Sequence, residues 1–214
     1  MIISGLVFVL SLIISLFIIW RLYKNNLSFV RAKISLDEFL DSGLFFLLSF
    51  GIGARILYII EHWQVFGGNI ASMFLFLHFP GFSFLGGVIG AVLGLWILCR
   101  IQKEPFLLLL DTFVVGLAFV LAVAQIGTME GIFTFCIFAF LYYFYRTERL
   151  KSGEIFLYFL TLIGILHFFV VYLTGFSIAY VISAIFAIIG LSVILFIRRV
   201  IIISFIKEKL KVRL

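Results

Sequence analysis

Fifteen of the 16 Lys and Arg residues in this chain fall in four short clusters, and long stretches with almost no charge separate them. Cutting at the charges leaves seven apolar runs: Ile2 to Trp20, Phe39 to Ile60, Phe82 to Cys99, Phe106 to Met129, Gly131 to Tyr145, Ile155 to Leu173 and Phe176 to Ile197. Most approach the roughly 20 residues that a helix needs to cross a bilayer. Gly131 to Tyr145 is the short one, suited to a tilted helix or a half-span. Overall, 65% of the residues are apolar and 12% charged, against about half and a quarter in soluble domains. Continuous rather than alternating apolar runs exclude a β-barrel and leave a bundle of helices that satisfy their own backbones. The fold class expected is therefore all-α, a polytopic integral membrane helical bundle of about seven transmembrane helices.

The basic clusters set the orientation. Arg21, Lys24, Arg31 and Lys33 follow the first run; Arg100 and Lys103 follow the third; Arg146, Arg149 and Lys151 follow the fifth; six more close the chain. Alternate loops are thus basic, which by the positive-inside rule places the N-terminus outside and the C-terminus in the cytoplasm. The same distribution accounts for the net charge of +6 without nucleic acid as a partner. Ile2 to Trp20 lacks a basic start and a small-residue cleavage site, so it reads as a retained helix rather than a signal peptide. Residues 1–197 form one transmembrane domain, with an interfacial segment at 61–81 whose apolar centre, Ile70 to Phe79, reads as a helix lying in the interface. Residues 198–214 read as a basic amphipathic tail on anionic headgroups. Cys99 and Cys136 have no paired spacing and are expected to be reduced, buried thiols.

Ionisable residues within apolar runs are costly and so mark function or pairing. Arg55, in Gly51-Ile52-Gly53-Ala54-Arg55, is the only cation outside the clusters. Its guanidinium can grip a lipid phosphate with two hydrogen bonds; alternatively it snorkels outward, or pairs with Glu61 or Asp111. Gly86, Gly87 and Gly90 leave one helix face bare, which permits close helix packing and would also admit a headgroup against exposed backbone. Asp111, after Pro105, reads as a helix-end or ion-pair residue. Glu130 can act as a base or face water. His167 suits proton transfer or a structural hydrogen bond. Three scattered His residues give no metal set, and no cofactor is expected.

The order of motifs then resembles the prolipoprotein diacylglyceryl transferase family. Gly53-Ala54-Arg55-Ile56-Leu57-Tyr58 is similar to its Gly-Gly-Arg-x-x-Tyr, and Gly81-Phe82-Ser83-Phe84-Leu85-Gly86-Gly87-Val88-Ile89-Gly90 to its Gly-x-Ser-x-His-Gly-Gly-x-x-Gly. Asp111-Thr112-Phe113 follows at the family's spacing, and Ala124-Gln125-Ile126-Gly127-Thr128 stands where the family reads Gly-Arg-x-Gly-Asn. Leu85 occupies the place of the family's His, Gln125 that of the signature Arg, Thr128 that of the Asn, and His167 that of a later Arg. The resemblance covers most of residues 1–175.

It implies a seven-helix bacterial enzyme of the inner (plasma) membrane, multi-pass, that moves diacylglyceryl from phosphatidylglycerol to the lipobox cysteine of a prolipoprotein signal peptide. On that reading Gln125, Glu130 and His167 are the catalytic candidates. Arg55, Tyr58, Gly86, Gly87 and Gly127 are the lipid-binding ones, with other membrane lipids as surroundings. The departures at Leu85 and Gln125 leave open an alternative, a non-catalytic lipid-binding or scaffold homologue. A small-solute transporter is a weaker third, because no matched halves with broken helices are visible.

Overall fold

Ser35 opens the longest helix whose start can be traced to its cap. Its hydroxyl accepts the backbone N–H of Glu38 at 3.2 Å, and the Glu38 carboxylate returns to the Ser35 backbone N–H at 2.7 Å, a reciprocal capping box. The helix so fixed runs Leu36–Glu61. It takes in Asp37 and Glu38, the charges at which the hydropathy cut starts the run at Phe39 instead. The computed structural model describes residues 2–66, 81, 83–125, 129–147, 150, 152–174, 185, 188 and 190–193. In chain order its helices are α1 (Ile2–Asn25), α2 (Leu27–Ala32), α3 (Leu36–Glu61), α4 (Trp63–Phe66), α5 (Phe84–Gln102), α6 (Phe106–Ala124), α7 (Met129–Arg146) and α8 (Glu154–Thr174).

Every regular element among the described residues is helical, and three of the helices, α3, α5 and α6, are long and apolar enough to cross a membrane. The short helix α2 is not foreshadowed by hydropathy. The expected fifth run extends to an 18-residue helix, α7, about 27 Å long at 1.5 Å per residue. Of the interfacial segment only its two ends are described; Ile70 to Phe79, the tail at 198–214 and most of the seventh run lie outside the described residues.

The chain divides into two compact units, residues 27–113 and residues 1–26 with 114–214, the boundary falling inside α6. In the first unit α3 packs on α5 through glycine. A side chain on Gly53 would meet the Gly86 carbonyl oxygen at 2.4 Å and the Gly90 Cα at 2.7 Å, and one on Gly90 would meet the Ser49 carbonyl oxygen at 2.4 Å. The two backbones therefore touch directly, as small residues allow in membranes. Below the crossing, Phe29, Phe39, Phe46 and Phe113 form a buried aromatic group, with Phe39 and Phe46 each 5.3 Å from Phe113. α5 ends at Lys103, in the left-handed conformation at φ 62°. Glu104 follows, its Oε2 accepting the Ser42 hydroxyl at 2.9 Å. Burial pushes the Glu104 carboxyl above its ordinary value, the Ser42 hydrogen bond works against that rise, and Glu38 and Asp41 nearby add to it.

In the second unit the buried face of α1 carries polar residues beside Leu22. Ser11 and Ser15, one turn apart, are buried, and the Ser15 hydroxyl donates to the Gly116 carbonyl at 3.0 Å. Gly116 permits this approach, since a side chain there would meet the Ile19 Cδ1 at 2.3 Å. α7 and α8 pack through Leu141, Ile155 and Phe159, all buried. Gly190 rests against Thr161 in the same way. Cys99 is buried as expected; Cys136 is instead exposed on the α7 surface, because its position faces away from the stripe Thr134, Ile137 and Leu141 that α7 turns inward.

Candidate functional site

Two groups of side chains carry the chemistry the sequence pointed to, one in each unit. The first is centred on Arg55, in the last turns of α3. The inward stripe of that helix includes Phe39, Ser42, Phe46, Ala54 and Arg55, and its helical spacing carries the arginine inward with the apolar residues. Arg55 is only 5% exposed, so it does not snorkel outward. Its Nη1–H donates to the Gly81 carbonyl at 3.1 Å, and its guanidinium carbon lies 5.8 Å from the Tyr58 ring centre and 5.4 Å from that of Phe66. Two aromatic faces and a backbone carbonyl thus hold the cation, an arrangement in which the ring quadrupoles offset part of its desolvation.

The surrounding residues fix this frame. Tyr58 stacks on His62 at 4.3 Å and meets Phe66 edge-on at 6.3 Å. Gly81 must be glycine, because a side chain would fall within 2.0 Å of the Tyr58 ring. The Ser83 N–H donates to the Ala54 carbonyl at 3.0 Å, tying the start of α5 to the turn that carries Arg55. Glu61, one of the acids considered as a partner for Arg55, accepts a long hydrogen bond from the Ser83 hydroxyl at 3.4 Å. Asp111 is not at a helix end: it lies beyond the first turn of α6 and is buried. Gly86 and Gly87 are buried against α3, where side chains would meet Leu57 Cβ at 2.4 Å and the Phe50 ring at 2.5 Å. Beside this crossing runs an apolar cleft of about 350 Å³, bordered by Ile52, Ile56, Ile89 and Leu93.

The second group joins Gln125 and Glu130. The apolar run Phe106 to Met129 puts Gln125 inside a helix and Glu130 just past its end; in the structure α6 stops at Ala124 and Glu130 belongs to the first turn of α7. The Gln125 Nε2–H donates to the Glu130 carboxylate at 3.0 Å, while its Oε1 accepts the Thr134 hydroxyl at 2.8 Å. Thr134 is buried and stands one turn after Glu130, whose carbonyl it also approaches at 2.7 Å. Both ends of the Gln125 amide are therefore held, and the carboxylate is aimed by a neutral donor. Sequence reasoning passed over Thr134; its only signal was the i, i+4 spacing from Glu130. Gly127 and the His167 side chain lie outside the described residues, His167 being placed only as a position in α8.

Residues 3–131 match the family model described as prolipoprotein diacylglyceryl transferase. The chain belongs to that family. The matched span takes in Arg55, Tyr58, the α5 glycines, Gln125 and Glu130, and stops short of His167. Among curated proteins, the chain is similar to the phosphatidylglycerol–prolipoprotein diacylglyceryl transferase of Finegoldia magna, 26% identical over 148 residues covering 56% of this chain and 59% of the relative. That of Clostridium novyi is 34% identical over 102 residues, covering 46% and 38%. That of Dehalococcoides mccartyi is 29% identical over 112 residues, covering 52% and 40%. The chain spans about half the length of the curated relatives it matches.

Proposed function

We propose that this member of the family transfers diacylglyceryl from phosphatidylglycerol to the cysteine thiol of a prolipoprotein signal peptide, at the bacterial inner membrane. The family match across Arg55 carries the reading, joined to the burial of that cation in a frame of rings and backbone. In this reaction the cysteine sulfur bonds to the glyceryl carbon as the carbon–oxygen bond to phosphate breaks, and glycerol phosphate leaves with the electron pair. The thiol proton must go to a base. Arg55 is assigned to the phosphate, where a guanidinium offers paired donors to the charge that grows on the leaving oxygen. Tyr58 holds that guanidinium, and the apolar cleft beside Gly53, Gly86 and Gly90 accommodates an acyl chain. Glu130 is assigned as the base, oriented by Gln125; His167 is the other candidate acceptor, and Gly127 is assigned to the lipid by the family signature alone.

The topology that goes with this reading is seven spans with the N-terminus outside. It is supported by the placing of the basic clusters. A second reading is favoured by two residues: Leu85 and Gln125 stand where the family has its His and signature Arg, which fits a homologue that binds lipid without turnover.

The test is transfer of labelled diacylglyceryl from phosphatidylglycerol to a lipobox peptide by the purified chain. Loss of one charged donor to a developing anion costs about 2.7 to 4 kcal/mol, so Arg55→Ala should lower the rate by roughly two to three orders of magnitude, with Phe133→Leu, on the exposed face of α7, unchanged. Equal rates in the two variants remove Arg55 from the chemistry. No transfer by the unmodified chain, with a gain in a Leu85→His, Gln125→Arg double variant, establishes the second reading.

A further inference from the structure

The second unit holds a polar cavity that the transferase reading leaves unused. It measures about 360 Å³ and is formed where α1 ends and α7 ends, lined by Arg21, Asn25, Asn26, Tyr142, Tyr145 and Arg146 together with Leu22. The spacing is helical on both sides: Arg21 and Asn25 are one turn apart on α1, and Tyr142, Tyr145 and Arg146 share one face of α7. Its floor is built, not incidental. Asn26 and Tyr145 are 8% and 5% exposed, and the Asn26 Nδ2–H donates to the Tyr145 hydroxyl oxygen at 3.0 Å. No carboxylate is among the lining residues. Two guanidinia, two amides and two phenols therefore converge on one space of small-molecule size, with hydrogen-bond donors far in excess and two positive charges uncompensated by the wall itself.

The level of this cavity along the helices identifies the phase it faces. On α1, Leu16 and Phe17 are exposed apolar residues, Trp20 is exposed one turn later, and Arg21 and Lys24 follow. The Lys24 ammonium lies 5.4 Å from the Trp20 ring centre. On α7 the same change runs from exposed Phe140 through Tyr143 to Arg146. Apolar surface giving way to Trp, Tyr and then cations is the profile of a helix leaving hydrocarbon for headgroups. A ligand there meets the donors at headgroup depth with its tails still in lipid.

We infer that this cavity is a binding site for the phosphate of an anionic phospholipid headgroup, held between the Arg21 and Arg146 guanidinia over the Asn26–Tyr145 floor. Fork-shaped donors suit a phosphodiester better than point charges do. The inference does not depend on the transferase reading, because it concerns binding at residues that the reaction does not use.

The experiment measures phosphatidylglycerol affinity of the full-length purified chain in phosphatidylcholine nanodiscs. It is done in an Arg55→Ala background so that the other proposed headgroup contact is absent. Loss of two charge-assisted contacts should weaken binding at least about tenfold in an Arg21→Gln, Arg146→Gln chain. Arg100→Gln, an equally basic interfacial position outside the cavity, should stay within about twofold. Equal loss in Arg100→Gln would reduce the effect to general surface charge, and no loss in the double variant would dispose of the site. Excess inorganic phosphate should fail to displace the lipid; displacement would make this a free-phosphate site and overturn the lipid assignment. An Arg21→Lys, Arg146→Lys chain keeps the charge and guards against misfolding of the glutamine pair: partial loss supports the fork geometry, and full affinity refutes it. Because the Arg55→Ala background is measured against the unmodified chain, failure of the phosphate role of Arg55 shows separately.

Discussion

Gly51 and Gly53 sit two residues apart in α3, yet alanine should have opposite consequences at them. Around Gly51 nothing lies within 4 Å of where a side chain would begin. Alanine there adds a methyl to open space and removes a flexible residue from a helix, a change worth up to about 0.5 to 1 kcal/mol in favour of the folded state. At Gly53 the same methyl would lie 2.4 Å from the Gly86 carbonyl oxygen and 2.7 Å from the Gly90 Cα. Both obstacles are backbone, so relief requires α3 and α5 to part by the better part of an ångström. A gap of that size forfeits about a quarter to a half of each contact's attraction, and overpacking of this kind costs typically about 1 to 3 kcal/mol. The two variants should thus differ by about 1.5 to 4 kcal/mol when both terms are combined. The assay is equilibrium unfolding of the purified chain in mixed micelles, followed by helical circular dichroism. A Gly53→Ala chain as stable as Gly51→Ala would refute the claim that backbone contact holds this crossing.

Two further outcomes follow from the polar groups. Thr134→Val keeps the shape but removes the hydroxyl that Gln125 Oε1 accepts, leaving a part-buried carbonyl oxygen short of a donor; stability should fall by about 1 to 2 kcal/mol, read in the same unfolding assay, and an unchanged chain would show that the network is incidental. Glu104→Gln should stabilise the chain at neutral pH. The folded carboxyl holds its proton above the ordinary value of 4.5, so the folded state binds more protons than the unfolded one, and stability falls as pH rises from that value through the raised one. The gain from glutamine should therefore vanish on acidification to pH 4.5 and below, and a gain that persists there would refute the assignment.

Much of this is legible in the sequence. The charge clusters mark where helices leave the apolar phase, with Lys24, Arg31, Arg100 and Arg146 each in a last turn. The bare face of Gly86 and Gly90 announced a close neighbour, though not that Gly53 would meet it. The Ser35 to Glu38 cap was also written in sequence, but a hydropathy cut that treats every charge as a boundary discards Asp37 and Glu38, which here belong to the helix. What sequence did not disclose were partners distant along the chain. The depth of Arg55 could be counted; that a glycine carbonyl 26 residues on and the ring of Phe66 would hold it could not. The same holds for Thr134, whose role depends on where α6 stops.

The capping box has a further consequence. Helix α3 starts at a fixed mark, Ser35, and Arg55 comes 20 residues later, about 30 Å along the axis at 1.5 Å per residue, close to the thickness of the hydrocarbon layer. The stretch between them is a ruler with the cap at zero and the cation at the far edge. Rulers tolerate changes of material better than changes of length. Substitutions along its exposed side, such as at Leu40, Leu44 or Leu48, leave the reading untouched, whereas deletion of a single residue swings Arg55 by about 100° and withdraws it by about 1.5 Å. No later substitution restores both. In this segment the chain is free to vary in spelling and fixed in count.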